Sequence, residues 1–181
     1  MDLISRQRRY EMDGEFEIKK AYASILESDF ERAIDWFERA VRLDPDNAAY
    51  HYKLSVTYAR SNKLARAIEH ARSAMKLEPG NDAYKFHADA LEAKQLLQDA
   101  EKQINGKTEP HLAVEMLKKA ILLDPLLIEA FLLLAVAYGE LDEFGFALQS
   151  AKNAVKLDPQ HAEANRLVEE FKYKLKRYLR S

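Results

Sequence analysis

LDPDNAAYHYKLSVTYARSNKLARAIEHARSAMKLEPGN, residues 43–81, is bounded by the same signal twice, Leu43-Asp44-Pro45 and Leu77-Glu78-Pro79. The signal returns at Leu123-Asp124-Pro125 and Leu157-Asp158-Pro159, so four of the five prolines mark one place in a recurring unit. Successive prolines are 34, 46 and 34 residues apart, and the odd interval is 34 plus 12. A period of about 34 residues is the mark of stacked helix-turn-helix units. Proline lacks an N–H and clashes with the preceding turn, so each one ends a helix and sets up the next.

Working outward from the prolines, alanines recur 12 and 5 residues upstream: Ala33, Ala67, Ala113 and Ala147, then Ala40, Ala74, Ala120 and Ala154. Side chains this small let two helices approach closely. His51-x-x-Leu54-Ser55-x-x-Tyr58 and Phe131-x-x-Leu134-Ala135-x-x-Tyr138 place large, small and aromatic groups on one helical face at i, i+3, i+4 and i+7. Asn47 and Asn81 are placed to cap the helices after the prolines, and Asp29, Asn62 and Asp142 to cap those inside the units.

These residues resemble the tetratricopeptide repeat pattern of aromatic, Leu, Gly or Ala, Tyr, then Ala, Phe and Pro. The resemblance implies an all-α, right-handed solenoid of four helix pairs. It divides the chain into an N-terminal extension (1–13), repeats at 14–47 and 48–81, a helical insertion (82–93), repeats at 94–127 and 128–161, and a C-terminal capping helix (162–181). In the third unit Glu101 replaces the small residue, Ile104 the Tyr, and Pro110 an aromatic.

No Gly or Pro interrupts residues 82–105, which predicts one long helix with Phe86, Ala90, Ala93, Leu97, Ala100 and Ile104 on a single stripe. Ala164, Val168, Phe171, Leu175 and Tyr178 step by 4, 3, 4 and 3, as the amphipathic cap of a solenoid requires.

Composition narrows the chemistry. The 181 residues are 48% hydrophobic and 32% charged, with net charge -2, so nothing in the global balance draws the chain to nucleic acid or an anionic membrane. There is no cysteine, which excludes disulfides, thiolate nucleophiles and cysteine-built metal centres. His51, His70, His87, His111 and His161 form no i, i+4 pair and no HExxH motif, and no phosphate-binding glycine loop or nucleophile elbow is visible. The expectation is a protein without catalysis, metal or cofactor. Arg6, Arg8 and Arg9 follow a start without an apolar signal region, and Asp124, Pro125 and Glu129 break the most apolar stretch, so a cytoplasmic chain is expected.

The resemblance also implies a concave groove lined by the first helix of each pair. Its positions here are Ile18, Tyr22 and Ile25 in the first unit, Tyr52, Val56 and Arg60 in the second, with Lys53 beside them. Gln98 and Lys102 follow in the third, and Leu132, Val136 and Glu140 in the fourth. The partner expected there is a peptide or helix of another protein, acidic and with apolar anchors, because residues 48–81 carry six basic against two acidic side chains. Ile18, Tyr22 and Lys53 stand where chaperone-binding members hold a carboxylate with Lys and Asn, which argues against chaperone tails. Phe131 to Tyr138 is apolar around its circumference, so a helix of this chain, a second copy or a partner must cover Leu132, Leu133 and Val136. Self-association as a homodimer is the alternative function, and an RNA-binding or enzyme-regulating subunit the third; Lys172, Lys174, Lys176, Arg177 and Arg180 with Tyr173 and Tyr178 are the feature that would suit nucleic acid.

Overall fold

The computed structural model describes residues 14–106 and 109–180. The expected extension 1–13, with Arg6, Arg8 and Arg9, lies outside the described residues, as do Lys107, Thr108 and Ser181. The described residues form nine helices and no strand. They are α1 (Glu15–Leu26), α2 (Phe30–Leu43), α3 (Ala48–Arg60), α4 (Leu64–Leu77), α5 (Asp82–Asn105), α6 (Pro110–Leu123), α7 (Ile128–Glu140), α8 (Phe144–Leu157) and α9 (Ala162–Tyr178).

The chain divides into two compact units, Met1–Leu91 and Glu92–Ser181, called front and back below. In the front unit α1 packs on α2, α2 on α3 and α3 on α4; in the back unit α6 packs on α7, α7 on α8, and α9 on both α8 and α7. The alanines that recur before each proline, Ala33 through Ala154, are all fully buried, as close helix approach demands. Around them the front core holds Phe37 and Leu54, and the back core Leu117, Leu134 and Phe171.

Ends of helices follow local chemistry. Asp29 and Asn47 accept hydrogen bonds from the N–H groups of Arg32 and Tyr50, as N-caps do. Asn62 and Asp142, expected as caps, instead adopt left-handed backbone at φ 58° and 56°, and Ser28 does the same at 61°. The next residue's N–H then reaches back to close the preceding helix, Asp29 to Ser24, Lys63 to Tyr58 and Glu143 to Tyr138, each at 2.9 Å. A short polar side chain tolerates that conformation, which explains the residue type as well as capping would.

The long helix is continuous over 24 residues, but its stripe is not the expected one. Phe86 is 69% exposed and Ala90 is exposed, whereas Ala88 and Leu91 are buried in the front core. From Ala93 the buried positions become Ala93, Ala100 and Ile104, with Leu97 partly buried beside them in the back core. The buried register changes between Leu91 and Ala93 because one helix serves two cores.

Candidate functional site

In the front unit Ile18 and Ile25 are half-buried against the core, and Tyr22 is exposed with its ring edge on Phe37, centroids 5.8 Å apart. Tyr52 is half-buried, with ring centroids 4.9 Å from Tyr84 and 5.1 Å from His87 of α5. Beside it Lys53 and Val56 are half-buried and Arg60 is exposed. The side chains of Lys53 and Arg60 have no hydrogen bond or ion pair with another described residue. Tyr84 and His87 were missed as neighbours of Tyr52 because residues 82–93 read as an insertion. Yet Tyr84 stands 34 residues after Tyr50, which was the available signal.

Behind this face lies a polar network. His51 Nε2 is 3.0 Å from the Pro45 carbonyl, which only accepts, so that nitrogen carries the hydrogen. His51 Nδ1, 2.9 Å from His70 Nδ1, must then accept from His70 when both rings are neutral. Ser55 donates to the Ala67 carbonyl at 2.7 Å and so accepts from His87 Nε2 at 2.8 Å. The Tyr58 ring stacks on His70 at 5.7 Å, and its hydroxyl donates to Glu38. Burial first, then the neighbouring His51, holds His70 below the ordinary histidine range, and burial alone does the same to His87. Burial and the Glu38 carboxylate push the Tyr58 hydroxyl up to about 12. Among the described residues no three His, Asp or Glu side chains converge as metal ligands would.

In the back unit a cleft of about 350 Å³ opens between α5, α7 and α9. Its floor is Leu97, Leu132, Leu133, Val136 and Leu167, and its charged edge is Glu101, Glu129 and Glu163. The expected residues Leu132 and Val136 meet there, and Glu140 lines the adjoining hollow with Val136 and Arg166. Gln98 is half-buried, and Lys102 is exposed and bridged to Asp99 at 2.9 Å. Leu167 and Glu163 were missed because the last helix reads as a cap, while it also forms a wall. Leu132, Leu133 and Val136 are only half-buried, so α5 and α9 flank the apolar helix without closing over it.

α9 seats through one close approach. A Cβ on Gly139 would lie 2.5 Å from Phe171 Cε1, so only glycine lets that ring lie against α7. Tyr178, expected on the packing stripe, is 61% exposed, although its ring meets Phe144 edge-on at 5.9 Å.

Paired helices closed by left-handed turns, with small residues at their crossings and a partly open apolar face, define tetratricopeptide-type repeats. A family model described as TPR repeat matches residues 22–62. Among solved structures, MamA 41-end from Desulfovibrio magneticus RS-1 superposes with a TM-score of 0.56 at 16% identity, covering 93% of this chain and 92% of that one. MamA AMB-1 gives 0.56 at 18%, covering 94% and 86%. The MamA RS-1 ArsTM double mutant gives 0.56 at 17%, covering 90% and 84%. Identities this low speak for the fold alone. No curated protein sequence matches the chain. Among the described residues no helix is long and apolar enough to cross a membrane.

Proposed function

We propose that this chain is a cytoplasmic protein–protein interaction adaptor, holding a peptide or helical segment of a partner on the first helices of its repeats without catalysis or cofactor. The repeat boundaries are those given by the 34-residue period. The observation that carries the reading is the back-unit cleft, whose leucine and valine floor stays partly open to solvent beside Glu101 and Glu129, which have no ion pair with another described residue. A floor of that kind gains by seating apolar anchors of a partner. In the front unit Tyr52 and Val56 offer the same apolar contact, and Lys53 and Arg60, without an ion pair to another described residue, suit an acidic segment.

Affinity capture with the full chain tests the reading. Tyr52→Ala combined with Arg60→Glu, and separately Leu132→Ser, are expected to abolish recovery of a partner while circular dichroism shows unchanged helicity. Unchanged capture by both variants would overturn it.

Self-association is the second reading, and the exposed Phe146 (62%), Tyr178 and Leu179 favour it. Light scattering over a range of concentrations decides it: a concentration-independent monomer removes this reading and leaves the adaptor intact.

A further inference from the structure

Five acids of the back-unit helices, Asp99, Glu115, Glu163, Glu169 and Glu170, are answered by a Lys or Arg of their own helix. Asp99 meets Lys102 at 2.9 Å, Glu163 meets Arg166 at 2.7 Å, and Glu170 meets Arg166 at 2.9 Å and Lys174 at 2.7 Å. Bridges at i, i+3 and i, i+4 are what helix geometry supplies wherever the sequence places a cation.

Glu101 and Glu129 are different. The residues three and four positions from Glu101 are Leu97, Gln98, Ile104 and Asn105; those following Glu129 at the same spacing are Leu132 and Leu133. The sequence thus denies both carboxylates a local cation, and neither has a hydrogen bond or ion pair with another described residue. Both stand at the edge of the apolar cleft, and among the described residues no Lys or Arg lines it. An acidic segment entering there would bring like charges together beside a low-dielectric floor, where they repel most strongly. A cationic one would be drawn in and held in register by the two carboxylates while its apolar side chains cover the floor.

We infer that the back-unit cleft receives a cationic amphipathic segment of a protein partner, its aliphatic side chains on Leu132, Leu133 and Val136 and its Lys or Arg groups on Glu101 and Glu129. The inference rests on the adaptor reading and deepens it. The front face, edged by Lys53 and Arg60, takes the opposite charge, so the chain distinguishes two partner segments by sign.

The probes are a synthetic amphipathic Leu/Lys helix peptide and its Leu/Glu counterpart, each fluorescently labelled, titrated with the full chain and followed by anisotropy. The Leu/Lys peptide is expected to bind at least about tenfold more tightly, Glu101→Gln with Glu129→Gln to weaken it about tenfold, and added salt to weaken it further. Leu132→Ser is expected to remove binding. Glu115→Gln with Glu169→Gln, exposed acids that do not line the cleft, controls for general acidity and is expected to change nothing. Equal loss in that control overturns the inference, because any surface acid would then serve. Binding of both peptides that depends on Leu132 but not on Glu101 and Glu129 overturns the charge selectivity and leaves the adaptor reading standing. Failure of both peptides overturns the inference, and the capture experiment then decides the adaptor reading by itself. A dimer that Leu132→Ser converts to monomer would show a second copy as the occupant instead.

Discussion

The front and back units share one repeat plan and fill it with different chemistry. Between the front helices stand hydrogen-bonded side chains: His51 on His70, Ser55 on His87, Tyr58 on Glu38. Some of the corresponding places in the back unit are apolar, with Phe131 for His51, Ala135 for Ser55 and Leu167 for His87, and the fully buried Ala135 belongs to a core of alanine, leucine and aromatic residues, while Ser150 and Tyr138 keep polar groups where His70 and Tyr58 stand. The same backbone period therefore tolerates an interior tied together by histidine hydrogen bonds and one in which apolar side chains stand at the histidine places His51 and His87. Hydrogen-bonded pairs specify geometry at the cost of needing every partner present; an apolar core tolerates small changes of shape and fails when volume is lost or overfilled.

The largest expected effect is on volume in the front unit. Phe37 is 1% exposed, and Phe37→Ala should cost about 3–5 kcal/mol. Trp36, the single tryptophan, lies in this unit and reports it, so the urea midpoint of its fluorescence should fall steeply. A change below about 1 kcal/mol would contradict the packing described.

Overfilling tests the back unit. Gly139→Ala forces Phe171 off α7 and should cost about 1–3 kcal/mol, more than the helix propensity alanine adds. Tryptic cleavage after Lys172, Lys174 and Lys176 should accelerate, and Phe171→Leu in the same chain should recover part of the loss. An unaltered digestion pattern would mean that α9 does not depend on this contact.

Acid should separate the units. His70 and His87 are held below the ordinary histidine value by burial, so around pH 6.5 the unfolded chain binds more protons than the folded one. Their contribution is fully present above that pH and is lost as pH falls toward their folded values. The groups facing His70 are Glu38 from α2, His51 and Tyr58 from α3, and Arg66 and Glu69 from its own helix; Glu38 and Glu69 oppose its depression while burial outweighs them. The Trp36-detected urea midpoint should drop between pH 7.5 and 5.5, and His70→Gln with His87→Gln should flatten that dependence. A drop of equal size in the double variant would place the acid sensitivity elsewhere.

The smallest effect concerns a turn. Ser28 adopts φ 61°, which glycine reaches without steric cost, so Ser28→Gly should raise front-unit stability by at most about 1 kcal/mol. A destabilised variant would indicate that the serine side chain supports the turn.

Helix boundaries were legible because proline and alanine act locally, through a missing N–H and a small side chain. The left-handed roles of Asn62 and Asp142 were not, since the residue types that cap a helix also tolerate left-handed backbone. The long helix was legible as a helix but not in its burial pattern. Phe86 and Ala90 fit a heptad stripe on paper, while the cores select Ala88 and Leu91 before the register changes. Of the back cleft, Leu132 and Val136 were legible from the repeat. Leu97 and Glu101 each stand one position before the Gln98 and Lys102 that the repeat template places in the groove, and Leu167 comes from the helix it assigns to capping, so only tertiary packing joins them.

The register change inside α5 also sets how this chain tolerates changes of length. A residue removed from a surface loop is absorbed by slack, but a residue removed near Glu92 turns everything after it by about 100°, so that Leu91 or Ala93 must leave its core. The division between the two units thus falls within an unbroken helix rather than at a linker. Mild proteolysis, which finds domain boundaries by their exposed loops, would pass over this one and cut the chain elsewhere.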